Sequence, residues 1–108
     1  MQAIEMVRFT VKAGRESALV DGRSTMVAAL SAAYPGLLVA HLARVDEATW
    51  LDLVVWESRE EALAAAEGAF GVADCAAWFD HIDQVLSMEH ADVVAVVHGR
   101  EDGSAVGR

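Results

Sequence analysis

The stretch that decides the fold is Leu37–Ser58, LLVAHLARVDEATWLDLVVWES. It holds two β-prone runs, Leu37–Val45 and Thr49–Glu57, separated by the short polar connection Asp46-Glu47-Ala48, which is of hairpin length. Side chains alternate across a strand, so Trp50, Asp52, Val54 and Trp56 share one face of the second run. Leu51, Leu53 and Val55 share the other, so neither face reads as plainly wet. Ser58 follows as an N-cap, with Glu61 three residues on to complete a capping box.

Working outward, Ala3–Val11 interleaves Ile4, Met6, Val7, Phe9 and Val11 with Glu5, Arg8 and Thr10, the pattern of a strand with two unequal faces. From Arg15 to Tyr34, Leu19, Met26, Val27, Leu30 and Ala33 recur at helical spacing, with Gly22 as a weak point and Pro35-Gly36 as the stop. After Ser58 a helix runs to about Gly68, and a second helical piece spans Ala73–Val85 with Cys75, Trp78, Phe79 and Ile82 on one side. Valine-rich Ala91–His98 reads as the last strand, and Gly99–Arg108 as a flexible C-terminal tail. The order β-α-β-β-α-β predicts an α+β, ferredoxin-like domain over residues 1–98, a four-stranded antiparallel sheet with its helices on one face. The uncovered sheet face predicts a homodimer.

Composition limits the function classes. The chain has 108 residues, 55% hydrophobic and 23% charged, which suits one soluble domain with its own core. A formal charge of −9, from 8 Lys+Arg against 17 Asp+Glu, repels phosphate backbones, and the arginines are scattered, so no nucleic-acid partner is expected. The longest charge-free run, Ser24–Ala43, is interrupted by Pro35, Gly36 and His41, so no membrane span is expected. The lone Cys75 reads as a small buried hydrophobe, and without a Cys/His cluster no metal site is expected. With no signal-like segment, the expected location is cytoplasmic.

Tyr34-Pro-Gly-Leu-Leu and Leu53-Val-Val-Trp-Glu-Ser58 resemble the antibiotic biosynthesis monooxygenase family of dimeric α+β barrels, over roughly residues 3–98. In that family a Pro-Gly turn precedes the second strand, and a Trp-Glu-Ser-like triplet ends the third. The resemblance implies a pocket between helices and sheet, with Asp52 and Trp56 at its third-strand positions. The family's second-strand histidine falls on Ala43, while His41 lies two residues earlier on the same side. Positions of the haem-degrading branch fall on Val7, about Ala65, and Asp74 or Cys75, none of which matches, so haem is disfavoured and no cofactor is expected.

The implied function is cofactor-independent monooxygenation of a polycyclic aromatic intermediate of anthrone or phenol type. A polyketide cyclase or isomerase, or a non-catalytic dimeric binding module, stays open on the same fold. Such oxidation needs a base to expose an electron-rich anion to O₂. An unperturbed aspartate lies about 6 pKa units below a phenol, roughly 8 kcal/mol, and an imidazole only about 3.5 units, roughly 5 kcal/mol. His41 is therefore the expected base, with Asp52 orienting the ring. Pairing of Val45 with Trp50 would put His41 on the Asp52 face, whereas a one-residue change of register would separate them. Trp50, Trp56, Trp78, Glu5 and Val7 are the expected substrate-binding residues, although core packing is the default role for each tryptophan in so small a domain. Asp80-His81-Ile82-Asp83 reads as a solvated helix face, and His90 and His98 carry no specific signal.

Overall fold

The computed structural model describes residues 1–100; the rest of the expected tail lies outside the described residues. The elements are β1 (Ala3–Val11), α1 (Glu16–Asp21), α2 (Arg23–Ala33), β2 (Leu37–Arg44), β3 (Thr49–Trp56), α3 (Arg59–Gly68), α4 (Ala73–Phe79) and β4 (Ile82–Asp92), with a 3₁₀ turn at Ala69–Gly71. The strands form one antiparallel sheet in the order β2-β3-β1-β4, an α+β ferredoxin-like arrangement. No single helix among the described residues is long and apolar enough to cross a membrane.

Local signals explain most boundaries. Gly14, at φ +79°, supplies the left-handed residue that turns the chain out of β1. The Ser58 hydroxyl accepts the Glu61 N–H at 3.2 Å and donates to the Glu61 carboxylate at 3.3 Å, which starts α3 where the capping box predicts. Gly36 runs so close to the Glu61 carboxylate that any side chain there would collide with it. The expected long first helix is two helices that meet at Gly22. A side chain at Gly22 would press on the Ala18 carbonyl and on the Trp78 ring.

Two expectations are corrected. The second helical piece ends at Phe79 rather than Val85, and the last strand is Ile82–Asp92 rather than Ala91–His98. The stop follows from tertiary anchoring. Trp78 Nε1 donates to the Leu19 carbonyl at 2.7 Å, and Lys12 N–H donates to the His81 carbonyl at 2.9 Å, turning the chain onto the edge of β1. β4 then pairs along all of β1, from Val11↔Ile82 to Ala3↔Asp92. The valine-rich segment lies beyond the start of β1, and its last bond to that strand is from Val93 N–H to the Gln2 carbonyl. Pairing thus overrides intrinsic β-preference on both sides of Asp92.

The hairpin register is the third correction. Arg44, not Val45, pairs with Trp50, so Leu42 opposes Asp52 and His41 opposes Leu53. Asp46 causes the change: its carboxylate accepts the N–H groups of Ala48 and Thr49 at 2.9 and 2.8 Å, which draws Val45 into the turn. His41 consequently lies on the opposite sheet face from Asp52.

Those two hydrogen bonds hold the Asp46 carboxyl below its ordinary value near 3.8. Their stabilising contribution is present above that value and is lost as pH falls through the depressed one. Asp46→Ala should lower the urea midpoint at pH 7, and the difference from the parent should shrink by pH 3. Trp78→Phe, which strands the buried Leu19 carbonyl and removes ring volume, should cost about 2–3 kcal/mol in the same measurement.

Candidate functional site

The helix-facing side of the sheet is a set of cross-strand rows. Ala40, Val54, Glu5 and His90 form one row, and Leu42, Asp52, Val7 and Met88 the next. Arg44, Trp50, Phe9 and Val85 form a third, two residues further along β1 and β3. A cavity of about 150 Å³ lies between the first two rows and the helices. Met26, Val27 and Leu30 of α2 and Ala65 and Ala66 of α3 supply its apolar walls, and the small alanines leave the space open. Phe70, Phe79, Val85 and Met88 also line it. Phe70 is 71% exposed yet rests against Phe79 with ring centroids 4.8 Å apart, so an aromatic rim stands in solvent.

The charged groups on this wall are Glu5, Arg23 and Asp52. Arg23 Nη2 donates to Asp52 Oδ1 at 2.6 Å, with side chains only 12% and 14% exposed, and also to the His41 backbone carbonyl at 3.2 Å. Its guanidinium carbon lies 5.1 Å from the Trp78 ring centroid. Arg23 Nε and Nη1 are buried without hydrogen-bond partners, and the electron-rich ring face offsets part of that desolvation. Trp56 Nε1 is likewise buried without a partner on the cavity wall. On the other side of β1, His90 Nε2 lies 2.9 Å from Glu5 Oε2, both side chains 12% exposed. Burial pushes the Glu5 carboxyl up, the His90 bond and charge pull it back, and the Asp52 charge pushes it further up.

The sequence-expected residues separate accordingly. Asp52, Trp56, Glu5 and Val7 meet at the cavity. His41 contributes only its carbonyl there, its ring being on the outer sheet face beside Leu53, which corrects the expectation of a base next to Asp52. Trp50 and Trp78 do not line the cavity. Trp50 packs under Arg44 at 4.9 Å beside a separate shallow hollow, and Trp78 sits in the core edge-on to Phe9 and Phe79. Asp80 is exposed and paired with Arg15 and Lys12, but Asp80–Asp83 forms the turn into β4 and the start of that strand rather than the expected helix face.

Arg23, His90 and Phe70 were missed. Arg23 has a legible signal, because Arg23, Met26, Val27 and Leu30 follow the i, i+3, i+4, i+7 spacing of one helix face. His90 was hidden by the misplaced strand boundary: once β4 reaches Asp92, Met88 and His90 alternate onto the cavity side. No histidine, cysteine or tyrosine is among the residues lining the cavity.

No family model and no curated relative matches the chain. Solved structures do share the fold. A Bordetella bronchiseptica protein bearing the name antibiotic biosynthesis monooxygenase superposes with TM-score 0.67 at 20% identity, over 87% of this chain and 98% of that one. A Caulobacter crescentus protein of the same name gives 0.67 and 20%, over 87% and 91%. SnoaB, a cofactor-independent oxygenase from Streptomyces nogalater, gives 0.61 and 19%, over 90% and 95%. At these identities the likeness establishes the fold.

Removing one partner from the Arg23–Asp52 pair strands a charge away from water. Asp52→Ala should therefore destabilise the domain by about 3 kcal/mol. The double variant with Arg23→Ala should recover part of that loss, which a double-mutant cycle by urea unfolding would read.

Proposed function

We propose that this protein is a cofactor-independent monooxygenase of the antibiotic biosynthesis monooxygenase type, acting on an electron-rich polycyclic aromatic of anthrone or phenol class. The observation that carries the reading is a largely apolar cavity whose charged lining is limited to Glu5, Asp52 and Arg23 and whose mouth is rimmed by exposed Phe70. A 150 Å³ cavity admits at least one aromatic ring, and further rings can lie against Phe70 and Phe79. The likeness in fold to SnoaB, described as a cofactor-independent oxygenase, supports the same reading.

The reaction needs no bound redox group when the substrate itself supplies the electrons. Loss of a proton from an anthrone leaves an anion that transfers electrons to O₂ and forms a carbon–oxygen bond. The resulting hydroperoxide loses water. The balance is one CH₂ plus O₂ giving one C=O plus H₂O. Asp52, immobilised through Oδ1 by Arg23, keeps Oδ2 to accept a ring hydroxyl and so orient the ring. The apolar walls exclude water from the anion.

The outer sheet face carries Ile4, Met6, Leu51, Leu53 and Val55, all half-buried, in adjacent strands. A second copy of the chain packed sheet to sheet would cover them, giving a homodimeric α+β barrel, here read as cytoplasmic. Leu53→Glu should then yield a monomer by sedimentation velocity, with the parent sedimenting as a dimer.

The direct test follows O₂ uptake by metal-free protein given dithranol, an anthrone, against a heat-denatured control. Protein-dependent uptake that falls at least tenfold in Asp52→Asn is expected. Product formation under nitrogen would instead mark a cyclase or isomerase, and binding without chemistry a ligand-binding module. Phe70→Ala should weaken dithranol binding five- to tenfold, about 1 kcal/mol of ring stacking, and leave stability within about 0.5 kcal/mol because the side chain is exposed.

A further inference from the structure

We propose that Glu5, held by His90, is the group that takes the proton from the aromatic ligand in the β1–β3 cavity, an assignment that rests on the oxygenase reading above. The geometry separates the three candidate bases. His41 turns its ring to the outer face. Asp52 is matched at 2.6 Å by Arg23, which cannot give up its proton, so protonating Asp52 would leave a buried guanidinium charge without a counter-ion. Glu5 is matched instead by an imidazole, which can hold or release a proton, so the pair can take one up without stranding a permanent charge.

The orientation fits as well. His90 lies opposite Glu5 on β4 and engages only Oε2; Oε1 makes no hydrogen bond to a described residue, and Glu5 lines the cavity. Arg59 reaches the His90 backbone carbonyl at 3.5 Å and Asp92 at 3.0 Å, tying this end of β4 to α3. Burial pushes the Glu5 carboxyl up, so it is a stronger base than a surface carboxylate while His90 still favours its ionised form. In the step, a C–H bond of the anthrone CH₂ breaks, its electron pair delocalises through the rings onto the carbonyl oxygen, and the proton goes to Glu5 Oε1. The imidazole of His90 remains beside the new anion. The proton leaves later on the water released from the hydroperoxide, which returns Glu5 to its starting form.

The charged groups facing Glu5 are His90 on β4, Asp52 on β3 and, through Asp52, Arg23 on α2. An ionised dyad is required, so kcat/KM for dithranol should rise with pH through its titration. Glu5→Gln, nearly isosteric, should lower kcat about 100-fold or more and erase that rising limb. His90→Leu removes the interaction that lowers the Glu5 pKa, so its rising limb should move to higher pH, a change that loss of packing alone would not produce. A second readout uses 1,8-dihydroxyanthraquinone, whose absorbance reddens on ionisation. The bound probe should ionise at higher pH on the parent protein than on Glu5→Gln, because the Glu5 carboxylate opposes a second negative charge beside it.

If Glu5→Gln keeps kcat within threefold and retains the parent pH profile, the proposal is overturned while the oxygenase reading stands. If the parent protein consumes no O₂, the oxygenase reading fails and the probe alone decides: Glu5-dependent ionisation supports the dyad, and Glu5-independent ionisation overturns it. Should Glu5→Gln not fold, Glu5→Asp is judged by the same two readouts.

Discussion

Arg23 is clamped between the Asp52 carboxylate and the Trp78 ring, and the architecture of the site depends on that clamp. Through it α2 is tied to β3 by a charge-assisted bond, to β2 by the His41 carbonyl, and to α4 by the tryptophan face. Trp78 is in turn fixed by its bond to the Leu19 carbonyl, and Gly22 is small because that ring passes beside it. A buried ion pair of this kind is weak evidence for net stability, since burial of both charges opposes their attraction. What it contributes is position: it allows little variation in how the helices sit over the sheet, and so sets the width of the cavity.

The two charge pairs at the cavity are chemically unlike. Arg23–Asp52 joins a carboxylate to a guanidinium, a donor-only group that does not give up its proton in proteins. Glu5–His90 joins a carboxylate to an imidazole, a group that can either hold or release a proton. In the proposed reading, the first pair holds a ligand in place and the second exchanges a proton with it. Both are set in an apolar wall, where water cannot level the difference between them.

Strand and helix types were legible because periodicity and capping are local. The Leu37–Ser58 hairpin, the Ser58 cap and the Pro35-Gly36 stop all appear where the residues predict. The end of the last helix and the start of β4 were not legible, because nothing within Trp78–Asp92 announces that β1 offers an open edge there. Asp52, Trp56, Glu5 and Val7 were reachable from strand alternation alone. His90 was not, since alternation helps only once the strand containing it is known.

By itself the sequence determined the element order, the ferredoxin-like class, and a polar residue facing inward between tryptophans on β3. Tertiary structure decided the register, and with it the site. A strand's side chains repeat every two residues, so the single step made by the Asp46 turn sends His41 to one face and leaves Asp52 on the other. Likewise, which imidazole meets a carboxylate was decided by β4 pairing along β1, a contact between residues 85 positions apart that no local pattern encodes.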